Sequence, residues 1–189
     1  IKNGTIIDPS CKREEKGDLL IADGKIARIA PCGEIQEEGC EVIDATGMVV
    51  APGLVDVHVH FRDPGFTYKE DIDTGAQAAL QGGFTSVVLM ANTKPVVDNE
   101  ETLDYVLEKG KNTPIHVYSC ASISKGLQGK ELVDMALLYS KGAAGFTDDG
   151  IPLLDVDILE QAFVKAASIG VPVLSLIHIS EPTRLLSIS

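Results

Sequence analysis

Pro52-Gly-Leu-Val-Asp-Val-His-Val-His-Phe-Arg-Asp-Pro-Gly65 is an apolar strand that runs into two histidines, an arginine and a turn. Residues two apart on a strand share a face, so His58 and His60 converge where the strand gives way to Arg62–Gly65. Neutral imidazole is a preferred ligand for zinc and similar ions, and two convergent rings at a strand end make half of a catalytic centre. The competing reading is a pair of hydrogen-bonded histidines in a core strand. The chain has only four histidines and places two of them here. Arg62 follows on the same parity, which a core strand does not want. The metal reading is therefore preferred.

Working outward, residues 51–173 alternate strand and helix. Strand Leu54–His60 precedes a helix near Ile72–Gln81, which Gly82-Gly83 stops. Strand Thr85–Met90 precedes a helix near Glu100–Lys109 with Asp98 or Asn99 as N-cap. Strand Ile115–Ser119 leads to a helix near Gly129–Ser140, strand Ala143–Thr147 to one near Val156–Ser168, and Val171–Val173 opens a fifth strand. Successive βα units demand a parallel sheet, because parallel neighbours need crossover connections. No GxGxxG follows the first strand, which disfavours an open dinucleotide-binding sheet and favours a closed barrel. A barrel takes eight units and about 250 residues. The expected fold class is α/β: the first half of a (β/α)8 TIM-like barrel preceded by part of a small β-rich (sandwich) domain, and the chain reads as the front half of an enzyme.

Residues 1–50 supply that β-rich unit, with short strands at Thr5–Ile7, Asp18–Ile21, Lys25–Ile29, Glu41–Ile43 and Met48–Val50. Asp23-Gly24 is a two-residue hairpin signal. No chemistry is assigned to this part. The formal net charge of −12 argues against nucleic-acid or anionic-membrane binding. No charged-then-apolar leader and no apolar run of about 18 residues is present, so neither secretion nor a membrane span is expected. Cys11, Cys32, Cys40 and Cys120 lack CxxC spacing and fit free thiols in the cytoplasm.

The character of the chain changes after Val173. Leu174-Ser-Leu-Ile-His-Ile-Ser-Glu-Pro-Thr-Arg184 resembles the in-frame translation of a transposase-type sequencing adapter. Residues 174–189 are accordingly expected to be a non-native tail and are excluded from fold reasoning. The rival is a genuine fifth strand, Val171–Ile179, with His178 as a third metal ligand.

Four loops face the rim at the strand C-termini, where barrels carry their chemistry. They hold His58, His60 and Arg62; Ala91-Asn-Thr-Lys-Pro95; the small polar stretch Ser119–Lys125; and Gly145-Phe-Thr-Asp-Asp-Gly150 with two carboxylates. Asn92 alone could shape the turn before Pro95, and Asp148-Asp149-Gly150 could be a turn and helix entry. Lys125, Lys130 and Lys141 read as solvated. Asp56 and Asp63 flank the histidines and are candidates for orienting their rings.

His58-Val-His-Phe-Arg-Asp-Pro-Gly65, Met90-Ala-Asn-Thr-Lys-Pro95 and Gly145-Phe-Thr-Asp-Asp-Gly150 together resemble dihydroorotases of the metal-dependent amidohydrolase superfamily. The likeness is to the bacterial branch with an aspartate in the fourth-strand loop, and it spans residues 1 to about 173. It implies that His58, His60 and Asp149 are metal ligands, with Asp148 shaping the loop or exchanging roles with Asp149. It implies that His60, Arg62 and Asn92 bind the substrate, Arg62 and Asn92 taking its carboxylate. A guanidinium fork and an amide suit that anion. The cofactor implied is zinc, one or two ions per full-length subunit. The reaction implied is reversible closure of N-carbamoyl-L-aspartate to L-dihydroorotate and water in pyrimidine biosynthesis. The partners implied are the small-molecule substrate and either a homo-oligomer or aspartate carbamoyltransferase.

In that family the acid–base aspartate comes from the eighth strand and further histidine ligands from the fifth and sixth. No catalytic residue is therefore assigned within these 189 residues. The chain by itself is expected to be inactive, to bind zinc weakly and to fold poorly, with open sheet edges. Two alternatives stand beside this reading. One is another cyclic amidohydrolase (hydantoinase, dihydropyrimidinase or allantoinase), which usually uses a bridging lysine that Gly145–Gly150 lacks. The other is a non-catalytic dihydroorotase-like scaffold subunit.

Overall fold

A computed structural model describes residues 1–36 and 38–174, so Glu37 and residues 175–189, including His178 and nearly all of the tail, lie outside the described residues. The chain divides into two compact units, Ile1–Gly53 and Leu54–Ser189. No helix among the described residues is long and apolar enough to cross a membrane.

In the first unit, β1 (Gly4–Asp8), β2 (Arg13–Ala22), β3 (Lys25–Ala30) and β4 (Val49–Val50) form one sheet in the order β3-β2-β1-β4. The long β2 is shared: Arg13–Gly17 pair antiparallel with β1, and Asp18–Ala22 with β3. Asp23 and Gly24 both take positive φ, 50° and 70°, as a two-residue turn matched to strand twist requires. The expected strand Glu41–Ile43 does not form. That segment meets β1's neighbourhood through a single bridge, Lys2 to Asp44, with Lys2 N–H donating to Ile43 O and Ala45 N–H to Lys2 O, each at 2.8 Å. Turns at Gly39 and Gly47, both at positive φ, bound it too closely for a ladder.

In the second unit, β5 (Leu54–Val59), β6 (Phe84–Leu89), β7 (His116–Ala121) and β8 (Gly145–Phe146) pair in parallel and in sequence order. Each is followed by a helix: α1 (Ile72–Gln81), α2 (Glu100–Gly110), α3 (Met135–Ser140) and α4 (Val156–Ile169). Val173, the expected opening of a fifth strand, makes a single isolated parallel bridge to Phe146. This is the front of a barrel. Val87, Leu89, Val117, Ala121 and Phe146 from the sheet bury against Ile72, Ala76, Leu103, Val106 and Leu138 from the helices. The caps follow the sequence: Asp71 forms a capping box with Thr74, Asn99 caps α2, Asp155 caps α4, and Gly170 ends α4 in the left-handed region.

Several element ends differ from expectation: β2 is longer (Arg13–Ala22), β8 is shorter (Gly145–Phe146), and β6 and β7 are displaced by a residue or two. Two further differences shape the rim. The helix expected from Gly129 starts only at Met135. Val133 N–H is spent on Ile123 O (3.0 Å) and Glu131 O on Lys125 N–H (2.8 Å), so the chain pairs across the loop before Asp134 caps the helix. Strand β5 stops at Val59, whose carbonyl takes the Met90 N–H at 3.0 Å. His60 therefore sits just beyond the ladder.

The first two rim loops lock together at Gly65. Its φ is +91°, and a Cβ there would lie 1.9 Å from Lys94 O; Lys94 N–H donates to Pro64 O at 3.0 Å. Gly65→Ala should lower stability by about 1–3 kcal/mol, read as a lower urea midpoint at unchanged slope. Gly24→Asn, in an open left-handed turn, should shift it little.

Candidate metal centre

The loop after β5 is aimed by what it buries. Phe61 lies over α1 at Gly75, where a Cβ would sit 2.5 Å from the ring. Asp63 is fully buried and accepts from Lys109 Nζ (2.6 Å), Tyr105 Oη (3.0 Å) and Ile72 N (3.4 Å). That carboxylate's hydrogen bond raises the Lys109 pKa. With 61 and 63 pinned inward, His60 and Arg62 stay half-exposed at the rim. Arg62 takes φ +59°, so it leaves the strand alternation on which its parity with the histidines was argued. His58 is set differently. The β5–β6 register breaks between Asp56 and Val59, and Asp56 Oδ1 accepts the His58 N–H at 3.0 Å. Such an irregularity re-aims a side chain beside a site.

His58 Nε2 then lies 3.3 Å from Asp149 Oδ1, and His60 Nε2 3.3 Å from Asp149 Oδ2. The rings meet edge to face with centroids 5.2 Å apart. One ligand atom from each of the three residues lies within 4.8 Å of the others. Asn92 closes the group: its Oδ1 faces His60 Nδ1 at 3.1 Å, and its Nδ2 donates to Asp149 Oδ2 at 3.0 Å. The Asp149 side chain is only 3% exposed, and its Oδ1 is buried with no hydrogen-bond partner among the described residues. An orphaned buried carboxylate oxygen is costly. Two imidazole nitrogens and a carboxylate oxygen are a donor set that zinc and similar ions accept. A cation among them would supply the missing partner, so the residues present fit a metal.

Burial, and then the charge of Arg62, push the His60 pKa down against the opposing pull of Asp149 and Asn92. The ring thus keeps a free lone pair at neutral pH. Beneath the site, burial and secondarily the Asp149 charge push the Cys120 thiol up to about 12, which makes it inert.

The adjacent carboxylates do different work. Asp148 accepts from Ile123 N (2.7 Å), Ser124 N (3.1 Å) and the Ser124 hydroxyl. It ties the β8 loop to the β7 loop and faces away from the imidazoles. Neither Asp56 nor Asp63 touches a ring, so the expected ring-orienting role falls to Asn92 instead. Lys125 and Lys141 pair with Glu131 and Glu100 at the surface, and Lys130 is exposed. Sequence reasoning missed the Tyr105–Lys109 clamp on Asp63. Its signal was the i,i+4 spacing that puts both on one face of α2, although nothing local marks their target.

Comparison with known proteins finds a family model described as dihydro-orotase-like over residues 47–176. Curated dihydroorotases match closely: 57% identical over 91% of this chain and 41% of the relative in Clostridioides difficile, and 52% over 91% and 40% in Clostridium acetobutylicum. The chain thus spans about 40% of the length of these curated relatives. Among solved structures, an L-hydantoinase from Arthrobacter aurescens aligns with TM-score 0.70 at 25% identity, covering 90% of this chain and 38% of that one. A dihydroorotase crystal structure aligns with TM-score 0.61 at 18% identity, covering 91% and 49%.

The two aspartates should separate on substitution. Asp148→Ala strands two backbone N–H groups and should cost about 2–4 kcal/mol in urea unfolding. Asp149→Asn, unfolded in the presence of chelator, should stay within about 1 kcal/mol of the parent or exceed it, because it removes an uncompensated buried charge.

Proposed function

The chain belongs to the dihydroorotase-like family, and from that footing we propose that it carries the front half of a zinc-dependent dihydroorotase site. The reaction is reversible cyclisation of N-carbamoyl-L-aspartate to L-dihydroorotate and water, a step of pyrimidine synthesis in the cytoplasm. One observation supports this above the rest: His58 Nε2 and His60 Nε2 converge on a buried Asp149 whose Oδ1 lacks a hydrogen-bond partner among the described residues.

His58, His60 and Asp149 would hold zinc, which when bound supplies Lewis acidity towards water and the amide carbonyl. The chain's own groups account for recognition. Arg62, half-exposed at the rim beside His60, offers a fork for the substrate carboxylate. Asn92 adds a directional amide, and His60 borders the same space. Burial of Asp149 excludes water from one side of the centre. Proton delivery to the leaving nitrogen needs a free carboxylic acid, and Asp148 is not free, being spent on the β7 loop. Under this reading the further partner is a second copy or aspartate carbamoyltransferase.

A second reading, hydantoin-type cyclic-amide hydrolysis, draws on the structural likeness to hydantoinases. Asp149 in place of a lysine and the carboxylate-binding pair Arg62 and Asn92 favour the first. A scaffold without catalysis is disfavoured by the presence of all three candidate ligands.

The test joins residues 1–172 of this chain to the remaining length of the Clostridioides difficile relative. Zinc-loaded, this chimera should turn over L-dihydroorotate and prefer it to hydantoin. His60→Ala should cost about 100-fold or more in kcat/KM. A preference for hydantoin, or activity indifferent to chelation, would sink the reading. The 189-residue polypeptide alone should show no turnover above a zinc blank.

A further inference from the structure

Asn92 lies between two candidate ligands rather than facing open solvent, and its amide can point only one way. Nδ2 is 3.0 Å from Asp149 Oδ2 and 3.4 Å from the Asp149 backbone oxygen. A backbone carbonyl only accepts, and so does a carboxylate, so the amide NH2 must face Asp149. The opposite atom, Oδ1, then faces His60 Nδ1 at 3.1 Å. An amide oxygen only accepts, so that ring nitrogen carries the hydrogen. In the neutral ring, Nε2 is left with a lone pair aimed at Asp149 Oδ2, 3.3 Å away. Two acceptors face each other across a gap that a cation would fill.

We propose that Asn92 is a positioning residue of the metal centre: its amide holds His60 in the Nδ1–H tautomer and fixes the rotamer of Asp149, so that both lone pairs are aimed before a cation arrives. In many metal sites a carboxylate or backbone carbonyl sets the ligand's tautomer; here a side-chain amide does so and binds a second ligand with its other end. What the lone pairs serve rests on the metal reading above. The role is compatible with substrate binding, because the amide NH2 has two hydrogens and the 3.0 Å bond to Asp149 Oδ2 needs only one of them.

The test uses the full 189-residue chain, metal-free, with long-range 1H–15N NMR of its four histidines, followed by cobalt(II) titration read by d–d absorption. His60 should show protonated Nδ1 and bare Nε2 in the parent. Asn92→Leu should shift it towards Nε2–H and weaken cobalt binding by about 10–100-fold, with the His58 signals unchanged. Asn92→Asp, which keeps an acceptor for Nδ1–H, should retain the tautomer. His60 protonated at Nε2 in the parent overturns the proposal without need of any variant, as does a tautomer and cobalt affinity unmoved in Asn92→Leu. A parent with the Nδ1–H tautomer whose chimera with the Clostridioides difficile relative binds no cobalt would leave this assignment standing and defeat the metal reading instead.

Discussion

A buried carboxylate cannot remain both charged and unpartnered, and Asp149 is the point on which this rim turns. Its two oxygens each face an imidazole Nε2 at 3.3 Å, and one of them has no hydrogen-bond partner among the described residues. Desolvation and lone-pair opposition make that arrangement unfavourable by itself. The surrounding fold has to hold it open, and much of the second unit's local structure does so.

The clamps are all carboxylates that accept from backbone N–H groups, hydroxyls or a single lysine. Asp63 fastens the first loop to α1 and α2, Asp148 fastens the fourth loop to the third, and Asp56 draws in the His58 N–H. Gly65 and Gly75 let the chain come close enough for these bonds to form. Each clamp spends a carboxylate so that a neighbouring residue one or two positions away is left for chemistry. Chain neighbours thus take opposite fates: Phe61 and Asp63 go inward while His60 and Arg62 stay at the rim, and Asp148 binds backbone while Asp149 meets the histidines.

Relatives and sequence converge on the same family, and the differences lie at the level of single groups. Strand–helix alternation and cap residues made α1, α2 and α4 and the parallel sheet legible, because hydrophobic period and capping are local signals. The late start of α3 and the absence of a strand at Glu41–Ile43 were not legible. In both, backbone groups are claimed by partners distant in sequence or by turn geometry, and propensity has no knowledge of either.

The amino-acid order alone was enough for the parallel βα architecture, for the convergence of His58 and His60, and for a carboxylate somewhere in Asp148-Asp149. These follow from periodicity, from the two-residue repeat of a strand and from residue chemistry. The resemblance pointed to Asp149 within that pair. That Asp56 serves the backbone and Asp63 holds Lys109 and Tyr105 instead of the imidazoles, and that Asn92 bridges His60 to Asp149, were decided only by tertiary structure. The residues concerned lie 32 and 57 positions apart along the chain. Only the packing of one rim loop against the next brings their donors and acceptors within bonding distance, and no local pattern encodes which partner each will find.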